Sequence, residues 1–120
     1  ELIDAAPLID RKFKQIGVLK SGLIQIAVIY FKNGYANEAL RIAQMVHETY
    51  PSAGTLNLIG MILESLGRLD EARKVFLELV ANGVESPRIY ESLSRISRAL
   101  GDAQQSIEYL HMSMTGRPAG

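Results

Sequence analysis

Glycine returns in this chain at a nearly fixed interval. Gly34, Gly67 and Gly101 stand 33 and 34 residues apart, each closing an apolar stretch and preceding a short polar lead into a second one. A period of that length marks a helix-turn-helix repeat, and it constrains the fold more than any local propensity because every unit must adopt the same shape. Three segments fall into register on it: "LIQIAVIYFKNGYANEALRIAQMV", "LNLIGMILESLGRLDEARKVFLEL" and "YESLSRISRALGDAQQSIEYLHMS". Each reads as a helix A, a glycine turn and a helix B. Taken alone, "LIQIAVIYF" is rich in β-branched and aromatic side chains and looks like a buried strand. Its register with the other two segments overrides that look, since propensity is a weak prior.

Down helix A the first unit places Leu23, Ile26, Ala27 and Tyr30, followed by Ala39, Ala43 and Pro51 along and after helix B. The second gives Leu56, Ile59, Gly60, Leu63, Ala72 and Phe76, with Val84 where a closing proline would stand. The third gives Tyr90, Leu93, Ser94, Ser97, Ser106, Leu110 and Pro118. This alternation of large and small residues resembles the tetratricopeptide repeat family. Its most specific part is Gly-x-x-x-Glu-Ala, at Gly34, Glu38, Ala39 and again at Gly67, Glu71, Ala72. The resemblance implies an all-α fold, a right-handed α-solenoid of three helix-turn-helix repeats at about 20–52, 53–86 and 87–120, preceded by an N-terminal helix. Small residues let paired helices approach closely and large ones fill the space between successive pairs; no pair could bury its face alone. Serine at three packing positions predicts a less tightly packed third unit.

Capping signals agree with these boundaries. Ser86 before Pro87 reads as an N-cap with proline at the first helical position, Asp102 with Gln105 as a near capping box, and Gly83 and Gly116 as stops for helix B. Residues 1–19 do not continue the repeat backwards, because Pro7 would fall inside the helix. They are read as a linker or capping helix from Pro7 to Gln15 or Ile16, ending before Gly17, with Ile9, Phe13 and Ile16 on one stripe. The start at Glu1 and the end on "GRPAG" suggest a piece of a longer protein.

The chemistry available is narrow. Among 120 residues there is no cysteine, which removes disulfides, thiolate nucleophiles and cysteine zinc sites. Thirteen Lys plus Arg balance thirteen Asp plus Glu, so no global field draws the chain to nucleic acid. The longest apolar run, Leu23 to Phe31, falls far short of the ~20 residues of a membrane span. His47 and His111, the only histidines, lie near the ends of B helices, where an imidazole suits the terminal carbonyls. Asp70 and Glu71 suit the positive start of a helix rather than acid–base work. No Gly-x-Ser-x-Gly elbow and no phosphate-cradling glycine loop occurs. These readings predict no enzyme, no metal and no cofactor. Met45, Met112 and Met114 are expected to fill the core, and Met61 to face a ligand.

In the family resembled, helix A of each unit lines a concave groove and helix B forms the outer wall. The resemblance therefore implies a partner-binding groove of Ile24, Val28, Phe31 and Lys32 from the first unit, Asn57, Leu58, Met61 and Glu64 from the second, and Arg88, Glu91, Arg95 and Arg98 from the third. It grades from apolar to basic. The carboxylate clamp with which some family members grip a C-terminus is not recognisable, because Ile24, Val28 and Leu58 occupy its positions. The expected activity is protein–protein interaction, as scaffold, adaptor or chaperone, with a protein or peptide partner. A secretion-system chaperone and an RNA-binding helical repeat are the alternatives, the latter disfavoured by charge and period. Self-association through residues 21–33, or coverage of Ile24, Val28 and Phe31 by residues 1–19, a neighbouring repeat or a second copy, is a further expectation for so apolar a helix.

Overall fold

The computed structural model describes the backbone of residues 6–117 and the side chains of residues 19–117. Six helices follow one another: α1 (Ala6–Lys32), α2 (Ala36–Thr49), α3 (Ala53–Ser65), α4 (Leu69–Ala81), α5 (Pro87–Ala99) and α6 (Ala103–Thr115). There is no strand among the described residues. Each helix packs chiefly on its neighbours in sequence, α1 on α2, α2 on α3 and so on to α6. Contacts made chiefly between adjacent elements define a stacked repeat, so the expected helical solenoid is what forms.

The turns explain the glycine period. Gly34, Gly67 and Gly101 have φ of 86°, 75° and 88°, the left-handed region where a Cβ would be strained. The residue after each glycine donates its amide to a carbonyl five residues back: Tyr35 to Tyr30 at 2.9 Å, Arg68 to Leu63 at 3.0 Å and Asp102 to Ser97 at 2.8 Å. That closure satisfies the orphan carbonyls at the end of each A helix and turns the chain into helix B. At the other ends, the Ser86 hydroxyl accepts from the Ile89 amide, with Pro87 in the first turn, and the Asp102 carboxylate accepts from the Gln105 amide. Ser52 caps α3 in the same way, accepting from Thr55.

Two expectations change. Helix α1 runs without interruption from Ala6 to Lys32, through Gly17, where the sequence suggests a break. A lone glycine inside a helix costs only ~1 kcal/mol relative to alanine, too little to end it where the apolar periodicity continues on both sides. The side chains of Ile9, Phe13 and Ile16, and Pro118, lie outside the described residues. The second change is in the first repeat, where only Ala27 and the small residues of α2 take up their packing roles fully. Ile26 and Tyr30 are exposed and Leu23 is half-buried. Their counterparts in α3 (Leu56, Ile59, Leu63) and α5 (Tyr90, Leu93, Ser97) are all buried. The difference is a neighbour: α3 rests on α2 and α5 on α4, whereas no described helix lies before α1.

Gly60 of α3 faces Phe76 of α4, and the same two register positions hold Ala27 and Ala43 in the first pair and Ser94 and Leu110 in the third. A Cβ built on Gly60 would stand 2.8 Å from Cζ of Phe76, so only glycine admits that ring. In the third pair the Ser94 hydroxyl donates to the Ser106 carbonyl at 2.8 Å and approaches the Ser106 hydroxyl at 3.0 Å, while Leu110 lies half in solvent.

Candidate functional site

The A helices carry their polar and soft side chains on one side of the stack. In α3, Asn57, Met61, Glu64 and Ser65 recur at the three- and four-residue spacing of a single helical stripe, and in α5 so do Arg88, Glu91, Ser92 and Arg95. With Phe31 from the last turn of α1, these residues line one cleft of about 490 Å³. The expected groove residues Phe31, Asn57, Met61, Glu64, Arg88, Glu91 and Arg95 are thus brought together. Ser65 and Ser92 join them without having been singled out, although their spacing from Asn57 and Arg88 places them on the same stripes.

The remaining groove candidates go elsewhere. Leu58 is buried in the core, because the side of α3 that carries it packs against other helices. Ile24 and Val28 are half-buried against that core and do not line the cleft. Lys32 is exposed outside it. Arg98 borders a smaller hollow of about 310 Å³ with Ser94, Ser106 and Leu110, which Glu91 and Arg95 share.

The expected gradient from apolar to basic is also altered, because Arg95 is already engaged. Its Nε donates to Glu64 Oε2 at 3.0 Å, and its terminal nitrogen donates to Glu64 Oε1 at 3.1 Å and to the Ser92 hydroxyl at 3.0 Å. The forked contact to Glu64 is the main cause raising the Arg95 pKa above its ordinary value. Since the pair is partly exposed, it contributes at most ~1 kcal/mol to stability, but it ties α3 to α5 across the cleft wall. Arg88 and Arg98 pair with no carboxylate among the described residues. The Asn57 amide has only a long contact, 3.8 Å, to the Met61 sulfur, which leaves it able to bond a ligand.

The other residues singled out in the sequence have structural roles. His47 Nδ1 lies 2.7 Å from the Thr55 hydroxyl, which is also 3.0 Å from the Ser52 carbonyl, so the imidazole links α2 to α3 rather than capping its own helix. His111 Nδ1 donates to the Arg117 carbonyl just past α6. Asp70 and Glu71 sit in the first turn of α4, paired with Arg73 and Arg68. Met61 is exposed in the cleft, as expected. Met45 and Met114 are exposed too, against the expectation of core filling, because the sides of α2 and α6 that carry them meet no neighbouring helix; Met112 packs against the core. No described helix is long and apolar enough to cross a membrane.

Residues 53–81 match the family model for the tetratricopeptide repeat, a span that coincides with α3 and α4. No curated protein matches the chain. The match and the six stacked helices fit a tetratricopeptide repeat protein. Repeats of this family are non-catalytic and generally mediate protein–protein interaction.

Proposed function

We propose that the chain is a protein-interaction module and that the cleft between α1, α3 and α5 seats a segment of its partner. The observation that carries this is the meeting of Phe31, Met61, Asn57 and Arg88 in one cleft drawn from three repeats. Phe31 and the adaptable thioether of Met61 offer apolar contact, and burial there supplies most of the affinity, at roughly 25 cal/mol per Å² before ordering costs are subtracted. Asn57 can bond a partner's backbone. Arg88 supplies a cation that pairs with no carboxylate among the described residues. The partner segment accordingly carries a bulky aliphatic or aromatic side chain followed by a carboxylate, and a scaffold, adaptor or chaperone role would all use it. An RNA ligand fits less well, because Glu64 and Glu91 line the same cleft and Glu64 neutralises Arg95.

A random-peptide display library panned on the full chain tests this. Enriched peptides should share an apolar residue and an acidic one. Phe31→Ala and Arg88→Glu should each weaken their binding about tenfold, measured by fluorescence anisotropy, with unchanged far-ultraviolet circular dichroism. Binders indifferent to both substitutions would move the interaction surface off this cleft.

A further inference from the structure

The two arginines that line the cleft are in unequal states. Arg88 and Arg95 stand two turns apart on α5, about 10 Å along its axis, and Arg88 pairs with no carboxylate among the described residues. Arg95 is held from two sides. The Ser92 hydroxyl, on a residue only 7% exposed, accepts from Nη2 at 3.0 Å, while the two oxygens of Glu64 accept from Nε and Nη2. The fork with which a guanidinium grips a carboxylate is therefore already filled, and the deeper side chain fills it, Glu64 being 22% exposed against 51% for Arg95. Only Nη1 has no bond among the described residues. A carboxylate arriving there meets one edge of Arg95 while Glu64 lies against the other as a like charge.

We propose that Glu64 is a specificity-determining residue of the cleft: by occupying Arg95 it leaves Arg88 to take the partner's carboxylate, so a segment with one acidic residue binds and a second acid adds nothing. This rests on the reading of the cleft as the partner-binding surface. A second acid could reach Arg95 only by displacing Glu64, which would strand a mostly covered carboxylate without its cation. Nor can Arg95 readily swing out to meet the newcomer, because Ser92 holds the same nitrogen from the α5 side. The fork contributes little to folding, yet it decides between partners, since specificity is a difference of two affinities. Glu91 lines the same cleft but pairs with neither arginine, so it repels acids without withdrawing a guanidinium.

Panning the display library on the full chain and on its Glu64→Gln variant tests this. Peptides from the unaltered chain should carry one acidic residue beside their apolar one. Those from Glu64→Gln should carry two, about three residues apart if extended, since about 10 Å separates the arginines and a strand rises about 3.3 Å per residue. A fluorescein-labelled peptide from the second selection is then compared with its copy in which the acid facing Arg95 is replaced by the amide. The ratio of their affinities should be about tenfold higher in Glu64→Gln than in the unaltered chain, and the gain should vanish when Arg95→Gln is added. Glu91→Gln removes the same charge without freeing an arginine, so its ratio should rise less than about threefold. Without any peptide, the Arg95 Nε–H resonance should be protected from exchange in the unaltered chain and lose that protection in Glu64→Gln. A second selection no more acidic than the first, or equal ratios in Glu64→Gln and the unaltered chain, would overturn the inference; if Phe31→Ala and Arg88→Glu still weaken those peptides, the cleft reading stands. A rise in Glu91→Gln matching that in Glu64→Gln would overturn it too, as an effect of net charge alone. Peptides indifferent to Phe31→Ala and Arg88→Glu would overturn both readings.

Discussion

At the crossing of α3 and α4, Gly60 lies against the ring of Phe76, while at the crossing of α5 and α6 the same two positions hold Ser94 and Leu110. The first contact is dry: the ring is fully buried, and three of its atoms would lie within 3.1 Å of a Cβ on residue 60. The second is polar, with the Ser94 hydroxyl spent on the Ser106 carbonyl and Leu110 half in water. One backbone register therefore holds two chemistries, dispersion in the middle of the stack and hydrogen bonding at its end. The middle pair is followed by α5, which packs on α4, whereas no described helix packs on the far side of α6.

If that contrast is right, its largest consequence is in the aromatic ring. Phe76→Ala should cost about 3–5 kcal/mol, the usual penalty for emptying a packed aromatic site, whereas Leu110→Ala should cost less than about 1 kcal/mol because half of the side chain is already hydrated. Urea unfolding of both variants decides this, and equal losses would erase the distinction. Next comes Gly60→Leu, which should destabilise by about 1–3 kcal/mol through overpacking. Combined with Phe76→Ala, it should cost less than the sum of the two, since the leucine enters space the ring has left.

A smaller effect should appear in alkali. Burial, followed by the hydrogen bond to Glu85, raises the pKa of Tyr90 above the usual 10.0, and burial likewise raises Tyr109, whose ring stacks on it at 6.3 Å. Because the folded-state value is raised, this contribution to stability is fully present below pH 10.0 and is lost as the pH climbs through the folded value. Thermal melting should hold level up to about pH 9 and decline above about pH 10, with a shallower decline in Tyr90→Phe. The smallest change should come from Ser97→Ala. The Ser97 hydroxyl is buried without a partner among the described residues, so its removal should be neutral or stabilising by up to about 1 kcal/mol, while Ser94→Ala should cost about that amount by losing a made hydrogen bond. Equal costs for the two serines would show that hydrogen bonding does not hold the third pair.

Much of the cleft was legible in the residues. Asn57, Met61 and Glu64, or Arg88, Glu91 and Arg95, share a helical stripe by spacing alone, and any straight A helix presents them together. Leu58 was not legible in this way. It follows Asn57 by one residue, and which side of that step is covered depends on how α3 sits between its neighbours. The Glu64–Arg95 fork joins residues 31 apart, a distance that no intrahelical rule addresses. Nor could spacing show which apolar stripe of α1 would stay wet. Ile24 and Val28 looked exposed on an implied concave face, yet they lean on the core, and Ile26 and Ile29 are the exposed pair.

From the sequence alone came the six repeat helices and the joints between them: the three turn glycines and the caps at Ser86 and Asp102. Those are local properties, decided by backbone sterics and by hydrogen bonds that span a few residues, so they are written in short stretches of chain. Only the tertiary structure decided which of the equivalent residues are covered. Ile29, Ile62 and Ile96 occupy one register position and differ in burial because burial is set by what packs across from a residue, and in a one-dimensional stack the terminal units lack the neighbour that the inner ones share.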